Sequence, residues 1–408
     1  EQMRDTPAVS LGFWIHTGSR GEPAPLAGMA HFLEHLLFKG TTTRSARAIS
    51  EAIDGVGGNL NAFTAKEYTA ITCHVLSQHL GLAFDVLGDM FARSVMPAAE
   101  IERERGVILE EIRMYEDTPD DLVHDVLGEA AWNQPALGRP ILGTAATLAK
   151  IGRAEALAFY RRAYQPRNLV ISVAGAFDPD AVMRLVAAQV RPPRAAAALP
   201  PVCRAAAQFR PRRRIVEKKV EQIHLCLGWR GLAWADRRKP ALQVLTTALG
   251  GGMSSRLFQE VREKRGLAYA VYSYLSAYRG EGALVCYAGT GPDNLDRVTA
   301  CLLAETGKLV TKCLPAKELA RVKEQMKGHL VLGLEGTGAR MQFNAVHHYY
   351  HGRVATLVEV LAKIDAVTAA EVQAMARQVF AEPPAVAAIG PAGDYSVLDR
   401  RLNTAYKK

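Results

Sequence analysis

The sequence repeats the same order of short motifs at an interval of about half its length. Residues 96–100 (MPAAE) correspond to residues 314–318 (LPAKE), an offset of 318 − 100 = 218, and residues 148–151 (LAKI) recur at 361–364, an offset of 361 − 148 = 213. A helical pattern and then a short apolar run follow each LAKI copy. Such a period is typical of one structural unit used twice, and half of 408 residues is enough for an independent core. We therefore predict two related domains.

The two halves are separated by residues 191–214, which are rich in proline, alanine and arginine and have no periodic apolar face. This composition is typical of a linker and predicts one domain at 1–190 and a second at 215–408. The predicted strands are 9–17, 68–77, 168–175, 222–229, 269–277, 282–289 and 385–390, and the predicted helices are 27–38, 80–94, 97–115, 240–248, 294–312, 316–334 and 367–380. The fold class is α+β, with a mainly antiparallel sheet covered by helices in each domain.

The net charge of +9 first suggests a nucleic-acid partner, but its distribution does not support one. Subtracting seven linker arginines from the total leaves 9 − 7 = +2 for the rest of the chain. These arginines are Arg191, Arg194, Arg204, Arg210, Arg212, Arg213 and Arg214. No helix-turn-helix, RNA-binding aromatic motif or zinc-finger spacing occurs either, so we expect no nucleic-acid partner.

Other function classes are excluded by what the sequence lacks. It contains no apolar run of about 18 residues, so we expect no membrane span, and no GxxxxGK[ST] motif, so we expect an ATP-independent protein. The six cysteines are widely spaced, which is typical of reduced thiols. We expect a cytoplasmic location, while a chain that begins at Glu1 leaves periplasmic and organellar locations open.

The motif with chemical meaning is His31-Phe32-Leu33-Glu34-His35, in a segment with helical periodicity. Positions i and i+4 of a helix lie on one face, so both imidazoles can reach one ion, and Glu34 faces the same side. Two neutral imidazoles and a carboxylate suit Zn²⁺, and HxxEH is the inverted zinc-peptidase motif. The alternative is a pair of incidental histidines on a half-buried helix, but this combination arises by chance only about once in 10⁴ residues.

A third ligand is expected from the charged helix that follows residue 97. Glu104 and Glu111 are seven residues apart and share one helical face, whereas Glu110 points about 100° away. A solvated face that pairs with Arg103, Arg105 and Arg113 is the ordinary interpretation of such a run. In combination with the HxxEH motif, a metal ligand is the favoured interpretation instead.

These residues resemble the pitrilysin family of zinc metallopeptidases, which includes the mitochondrial processing peptidase, its bacterial homologues and insulin-degrading enzyme. In the family, a ligand glutamate follows HxxEH by about 75 to 77 residues, and an auxiliary glutamate lies seven residues before that ligand. Here Glu111 follows His35 by 111 − 35 = 76 residues, and Glu104 lies seven residues before Glu111. The resemblance implies that His31, His35 and Glu111 bind one zinc ion per chain. Glu34 is then the general base and Glu104 an orienting acid.

Two further segments resemble the family. Residues 57–69 (GGNLNAFTAKEYT) are similar to its edge strand, which implies that Asn61, Ala62, Phe63 and Thr64 pair with an extended substrate through the main chain. A capped hairpin strand is the alternative. Residues 250–272 are similar to its glycine-rich segment followed by an arginine and a tyrosine seven residues apart, here Arg262 and Tyr269. The resemblance implies that these two side chains stabilise the oxyanion.

The resemblance covers essentially the whole chain, and only the first half carries the metal motif. It implies a zinc endopeptidase that hydrolyses short or unfolded polypeptides inside a chamber enclosed by two chains, in which Arg262 and Tyr269 act on the partner's site. Because this chain has both parts, we expect a homodimer. The alternative is a catalytic or structural subunit that needs a different, homologous chain.

Two other polar clusters are expected to have no catalytic role. His347, His348 and His351 include an i, i+4 pair, but no acid follows nearby, and we expect surface or packing roles. Four acids at and after the end of the charged helix are expected to form a solvated loop, with attraction of basic substrates as the alternative: Glu116, Asp117, Asp120 and Asp121.

Overall fold

The computed structural model describes residues 1–133, 135–190 and 208–406. The strands in these residues are β1 (Ala8–Ile15), β2 (Asn59–Thr64), β3 (Thr69–Leu76), β4 (Leu169–Gly175), β5 (Arg213–Glu217), β6 (Ile223–Arg230), β7 (Ala268–Ala277), β8 (Gly282–Thr290) and β9 (Ala385–Gly390). They form two sheets, one in each half of the chain.

Helices outnumber strands. They are α1 (Met29–Leu37), α2 (Ala46–Asp54), α3 (Leu80–Arg93), α4 (Ala98–Glu116), α5 (Pro119–Ala131), α6 (Pro135–Gly138), α7 (Ala145–Leu148), α8 (Arg153–Ala163), α9 (Pro179–Gln189), α10 (Lys239–Gly250), α11 (Leu295–Thr311), α12 (Ala316–Gly333), α13 (Thr337–His351), α14 (Leu357–Asp365), α15 (Ala369–Val379) and α16 (Ser396–Tyr406). A single π-helical turn also spans Phe258–Glu263 among the described residues.

The first compact unit contains residues 1–114, 139–190 and 332–355 of the described chain. Its sheet has the order β2-β3-β1-β4, and every neighbouring pair is antiparallel. One face of β1 carries Val9, Leu11, Phe13 and Ile15, which are buried against α1, α2, α3 and α4. The alternation of these residues with Ser10, Gly12 and Trp14 places the main core on the helical side of the sheet.

The second unit contains residues 115–133, 135–138, 208–331 and 356–406. Its sheet has the order β5-β9-β6-β8-β7, in which β5 is parallel to β9 and the other pairs are antiparallel. Leu225, Leu227 and Trp229 of β6 face a core built from α10, α11 and α15. Both units therefore have the predicted α+β architecture.

Each unit includes one long helix from the other half of the chain, and the second unit also includes the short α6. Helix α5 contributes Val123 and Leu127 to an apolar cluster with strands β6, β8 and β9 of the second unit. Helix α13 contributes Met341 and Ala345 to a cluster with Trp14 on the first sheet. The boundaries 1–190 and 215–408 do not anticipate this exchange, because sequence position says nothing about which sheet face a helix covers.

Most predicted strands and helices are confirmed to within a few residues, but three details differ. The predicted acidic loop is confirmed only for Asp117, which lies exposed between α4 and α5. Glu116 ends α4, and Asp120 and Asp121 lie in the first turn of α5, where their negative charges stabilise the helix N-terminus. The linker prediction falls partly outside the described residues, and its last residues, Arg213 and Arg214, begin β5. The first domain also has β2, which is missing from the list of predicted strands although the resemblance to the family's edge strand indicated it within residues 57–69.

No helix in the described residues has the length and apolar character needed to cross a bilayer.

Candidate metal centre

Helix α1 presents the HxxEH residues on one face and the core residues on the other. Its apolar side chains Phe32, Leu33, Leu36 and Leu37 are fully buried in the first unit. Because they occupy one helical face, His31, Glu34 and His35 share the opposite face, and the rings of the two histidines have centroids 4.7 Å apart. The packing of α1 on the sheet thus decides which way the polar residues point.

Helix α4 brings a third ligand group to this face. The Oε1 atom of Glu111 lies 3.7 Å from Nε2 of His31, and its Oε2 atom lies 3.7 Å from Nε2 of His35. Bonds of about 2.0–2.1 Å to a tetrahedral zinc ion place neighbouring ligand atoms about 3.4 Å apart. Among the described residues, only His31, His35 and Glu111 bring three His, Cys, Asp or Glu ligand atoms within 4.8 Å of one another. This donor set fits zinc.

Glu104 contacts His35 on the ring nitrogen that faces away from Glu111. Its Oε2 atom is 3.0 Å from Nδ1 of His35, and its Oε1 atom is 2.7 Å from Nζ of Lys39. A carboxylate on Nδ1 selects the tautomer that carries its free electron pair on Nε2, which is the atom facing Glu111. Glu110, by contrast, is exposed and paired with Arg113.

Sequence reasoning missed Lys39. The residue stands four positions after His35, just beyond the end of α1, and its ammonium balances the charge of the buried Glu104. A helical spacing of four from the predicted ligand His35 could have indicated it, but the partner acid on α4 is far away in the sequence.

Burial shifts the pKa values of His31 and Glu34. It lowers the pKa of His31 to about 4, with a contribution from His35, so the imidazole is neutral and its nitrogen can bind a metal. Burial also raises the pKa of Glu34, while a hydrogen bond from Thr64 and the proximity of His35 lower it. The Oε2 atom of Glu34 is buried without a hydrogen-bond partner in the described residues.

The predicted substrate strand lies next to this face. Asn61, Ala62, Phe63 and Thr64 are in β2, the outermost strand of the first sheet, which pairs with β3 on one side. The structure brings only Thr64 to the metal centre, since its hydroxyl contacts Glu34 and lies 3.5 Å from the carbonyl oxygen of Ala30.

Arg262 and Tyr269 lie together in the second unit. The guanidinium of Arg262, in the π-helical turn, stands 4.6 Å from the ring centroid of Tyr269. The register of β7 shifts between Ala268 and Ala270, which leaves Tyr269 as an extra residue that is 76% exposed. A β-bulge of this kind redirects a side chain away from the pleat of an edge strand.

The histidine cluster of the second half lies on α13. The rings of His347 and His351 are 5.6 Å apart, and Phe343 packs on His347 with a centroid distance of 4.1 Å. This cluster is not among the described groups that bring three ligand atoms together.

Comparison with known proteins identifies the family. The model of the insulinase family of peptidases, family M16, matches residues 1–145, and the model of the peptidase M16 inactive domain matches residues 150–326. The chain belongs to the peptidase M16 family. The match to an inactive domain agrees with a second half that has no HxxEH motif.

Several M16 relatives match over nearly their full length. The uncharacterized zinc protease YmxG of Bacillus subtilis is 42% identical over 95% of this chain and 94% of its own. An uncharacterized zinc protease of Streptomyces coelicolor is 43% identical over 97% of this chain and 87% of its own, and one of Rickettsia felis is 34% identical over 94% and 92%.

Solved structures share the M16 fold at lower identity. A protease from Helicobacter pylori has a TM-score of 0.89 at 21% identity and covers 95% of this chain and 94% of its own. A peptidase M16 inactive domain from Pseudomonas fluorescens has a TM-score of 0.85 at 20% identity, over 96% of this chain and 95% of its own. At these identities the likeness establishes the fold alone.

Proposed function

We propose that the chain is a zinc-dependent endopeptidase that hydrolyses short or unfolded polypeptides, with one zinc ion per chain. The observation that carries this proposal is the convergence of His31, His35 and Glu111 beside the buried carboxylate of Glu34. The relatives named zinc proteases support the same activity and metal.

The chain's own residues divide the chemistry between them. His31, His35 and Glu111 hold the metal, which when bound polarises the scissile carbonyl and makes a water molecule more acidic. Glu34 accepts a proton from the attacking water and passes it to the nitrogen of the leaving amine. Its Oε2 atom makes no hydrogen bond to any residue that the structure describes, which supports this role. Glu104 keeps His35 in the tautomer that binds through Nε2.

Substrate binding is assigned to the outer edge of β2. Main-chain groups of Asn61, Ala62, Phe63 and Thr64 pair with an extended peptide, which requires no particular side chain on the substrate. This mode of binding selects unfolded or short chains, because a folded protein does not offer a free extended segment.

Arg262 and Tyr269 are assigned to the oxyanion that forms at the attacked carbonyl. A guanidinium and a phenol in contact are suitable donors for this charge, and the exposure of Tyr269 leaves its hydroxyl available. We infer that they serve the partner's metal centre in a homodimer that encloses the substrate. The alternative, a subunit that needs a different homologous chain, is distinguished by experiment.

Metal analysis with a peptide-cleavage assay tests the activity. The purified chain is expected to hold equimolar zinc and to cleave quenched peptides, and a chelator is expected to abolish cleavage. Glu34→Gln should keep zinc but lose at least about 100-fold in kcat, the contribution of a general base. Glu110→Gln, on the exposed side of α4, is the control. Equimolar zinc without hydrolysis across a broad peptide library contradicts an endopeptidase.

Complementation tests the assembly. An inactive Glu34→Gln chain is mixed with an inactive Tyr269→Phe chain under conditions that allow subunits to exchange. Recovered activity supports sites completed by the partner, whereas no recovery despite exchange argues against them. A wild-type chain that gains activity only with a second, different subunit supports the alternative.

A further inference from the structure

Helix α1 begins without a capping side chain of its own. Its N-cap residue is Gly28, whose φ of 96° is in the left-handed region, and no side-chain hydrogen bond is made from this position. A Cβ atom at Gly28 would lie 2.6 Å from the carbonyl oxygen of Leu142, so this position cannot carry a serine, threonine or aspartate cap. The first N–H groups of α1 therefore need an acceptor from elsewhere.

Glu22 supplies that acceptor from outside the helix. Its Oε2 atom accepts the N–H of Gly28 at 2.9 Å, and its Oε1 atom accepts the N–H of Ala30 at 2.6 Å. The residue is only 6% exposed. A buried carboxyl that satisfies two N–H groups at a helix start fixes the position of that first turn.

The surroundings of Glu22 hold its carboxyl in place. Burial raises its pKa to about 8, and the two N–H groups, Arg139 and Lys66 act in the opposite direction. Arg139 also donates from Nη2 to the main-chain carbonyl of Glu22 at 3.1 Å. The carboxyl is thus enclosed between the N-terminus of α1 and two cationic side chains.

The two histidines of the metal centre depend on this first turn to different degrees. His35 is oriented by the contact between its Nδ1 atom and Glu104. The Nδ1 atom of His31 is buried and has no hydrogen-bond partner in the described residues. His31 directly follows Ala30, so the backbone of the first turn of α1 sets the position of its ring.

We propose that Glu22 is a positioning residue for His31. It holds the first turn of α1 so that His31 reaches the metal position although no acceptor in the described part of the chain binds its Nδ1 atom. The inference rests on the proposed function only in taking His31, His35 and Glu111 as the zinc ligands.

The test measures metal binding directly. Zinc dissociation constants are obtained by competition with a chromophoric chelator for wild type, Glu22→Ala and Glu22→Gln, and the visible spectra of the cobalt-substituted proteins report the ligand geometry. Glu22→Ala is expected to weaken zinc binding about tenfold, as for loss of other groups that orient a ligand, and to alter the cobalt spectrum. Glu22→Gln retains one acceptor and should have a smaller effect.

The matched control is Glu371→Ala, which removes a carboxylate that accepts the N–H of Thr368 at the start of α15 in the second unit. It should lower the unfolding midpoint without changing zinc affinity. Zinc affinities of both folded Glu22 variants within about twofold of wild type overturn the inference. The inference is also overturned if Glu371→Ala loses as much zinc affinity as Glu22→Ala. It is overturned as well if the metal-free Glu22→Gln chain is unfolded, because either result shows an effect on the fold as a whole. A wild-type chain that binds neither zinc nor cobalt contradicts the proposed function itself.

Discussion

His31 and His35 occupy equivalent positions on one helix, yet different chemistry holds each of them. His35 has a buried carboxylate on Nδ1, and that carboxylate is neutralised by Lys39. His31 depends on its burial and on the first turn of α1. At the scale of single residues, the two proposed ligands therefore differ: a side chain orients His35, and we propose that the backbone orients His31.

Removing the acceptor of His35 should weaken metal binding without destroying the site. Glu104→Ala leaves Nδ1 of His35 without its partner, and we expect zinc affinity to fall about 10- to 100-fold. Chelator competition measures this change. Glu110→Ala is the matched control on the same helix, and equal affinities for the two variants show that Glu104 does not orient the ligand.

Lys239 should make stability depend on pH. Burial lowers its pKa to about 7, and its Nζ atom lies 3.2 Å from the ring centroid of Trp234. The unfolded chain binds a proton at Lys239 up to about pH 10.4. Between these values the folded state holds fewer protons, so the free energy of unfolding rises with pH, by on the order of 2 kcal/mol from pH 7 to 9.5.

Denaturant titrations at the two pH values measure the Lys239 effect. Lys239→Met removes the titrating group and should flatten this part of the pH profile. Parallel profiles for wild type and Lys239→Met contradict the prediction.

At the scale of elements, the β2–β3 hairpin is tied down at its turn. Glu67, between the two strands, pairs with Arg20 at 2.6 Å, and both side chains are buried. The hydroxyl of Tyr350 on α13 donates to Glu67 at 2.8 Å, and that of Tyr349 donates to its main-chain carbonyl at 3.1 Å. These contacts fix the end of β2, the strand on which Thr64 lies beside Glu34.

Breaking this buried pair should destabilise the first unit. Glu67→Ala leaves Arg20 without its carboxylate, and we expect a loss of about 3 kcal/mol in the free energy of unfolding. Glu51→Ala removes the exposed partner of Arg47 and should cost less than about 1 kcal/mol. Denaturant unfolding of both variants measures these free energies. If Glu67→Ala loses as little as Glu51→Ala, the buried pair stabilises the first unit no more than an exposed pair does.

At the scale of the whole molecule, α5 and α13 each pack in the unit formed mainly by the other half of the chain. Each helix covers the sheet face that the other helices leave open in its unit. Each half of the sequence therefore lacks one helix that its own sheet needs.

Truncating a core residue of α5 should consequently affect the second unit, although α5 belongs to the first half of the sequence. Leu127→Ala is expected to cost about 2–4 kcal/mol and to increase hydrogen exchange in β6 and β9. Leu87→Ala, in α3 of the first unit, is the control and should increase exchange in β1 and β3 instead. Increased exchange in β1 and β3 for Leu127→Ala contradicts the assignment of α5.

Local patterns predicted the elements well because they depend on neighbouring residues. The apolar period of α1 and the seven-residue spacing of Glu104 and Glu111 follow from helix geometry, which the sequence shows directly. Asp120 and Asp121 were misassigned to a loop because acidic residues in the first turn of a helix have the same polar composition as a loop. The sequence does not show which sheet the apolar face of α5 packs against.

The sequence by itself determined the α+β class, the repeat and which residues share the polar face of α1. These depend on period and on side-chain chemistry. Only the tertiary structure decided that Glu111 faces both histidines, that Lys39 balances Glu104, that Glu22 caps α1 and that α5 and α13 exchange sheets. Each of these contacts joins residues from different elements, and their approach depends on how whole helices pack.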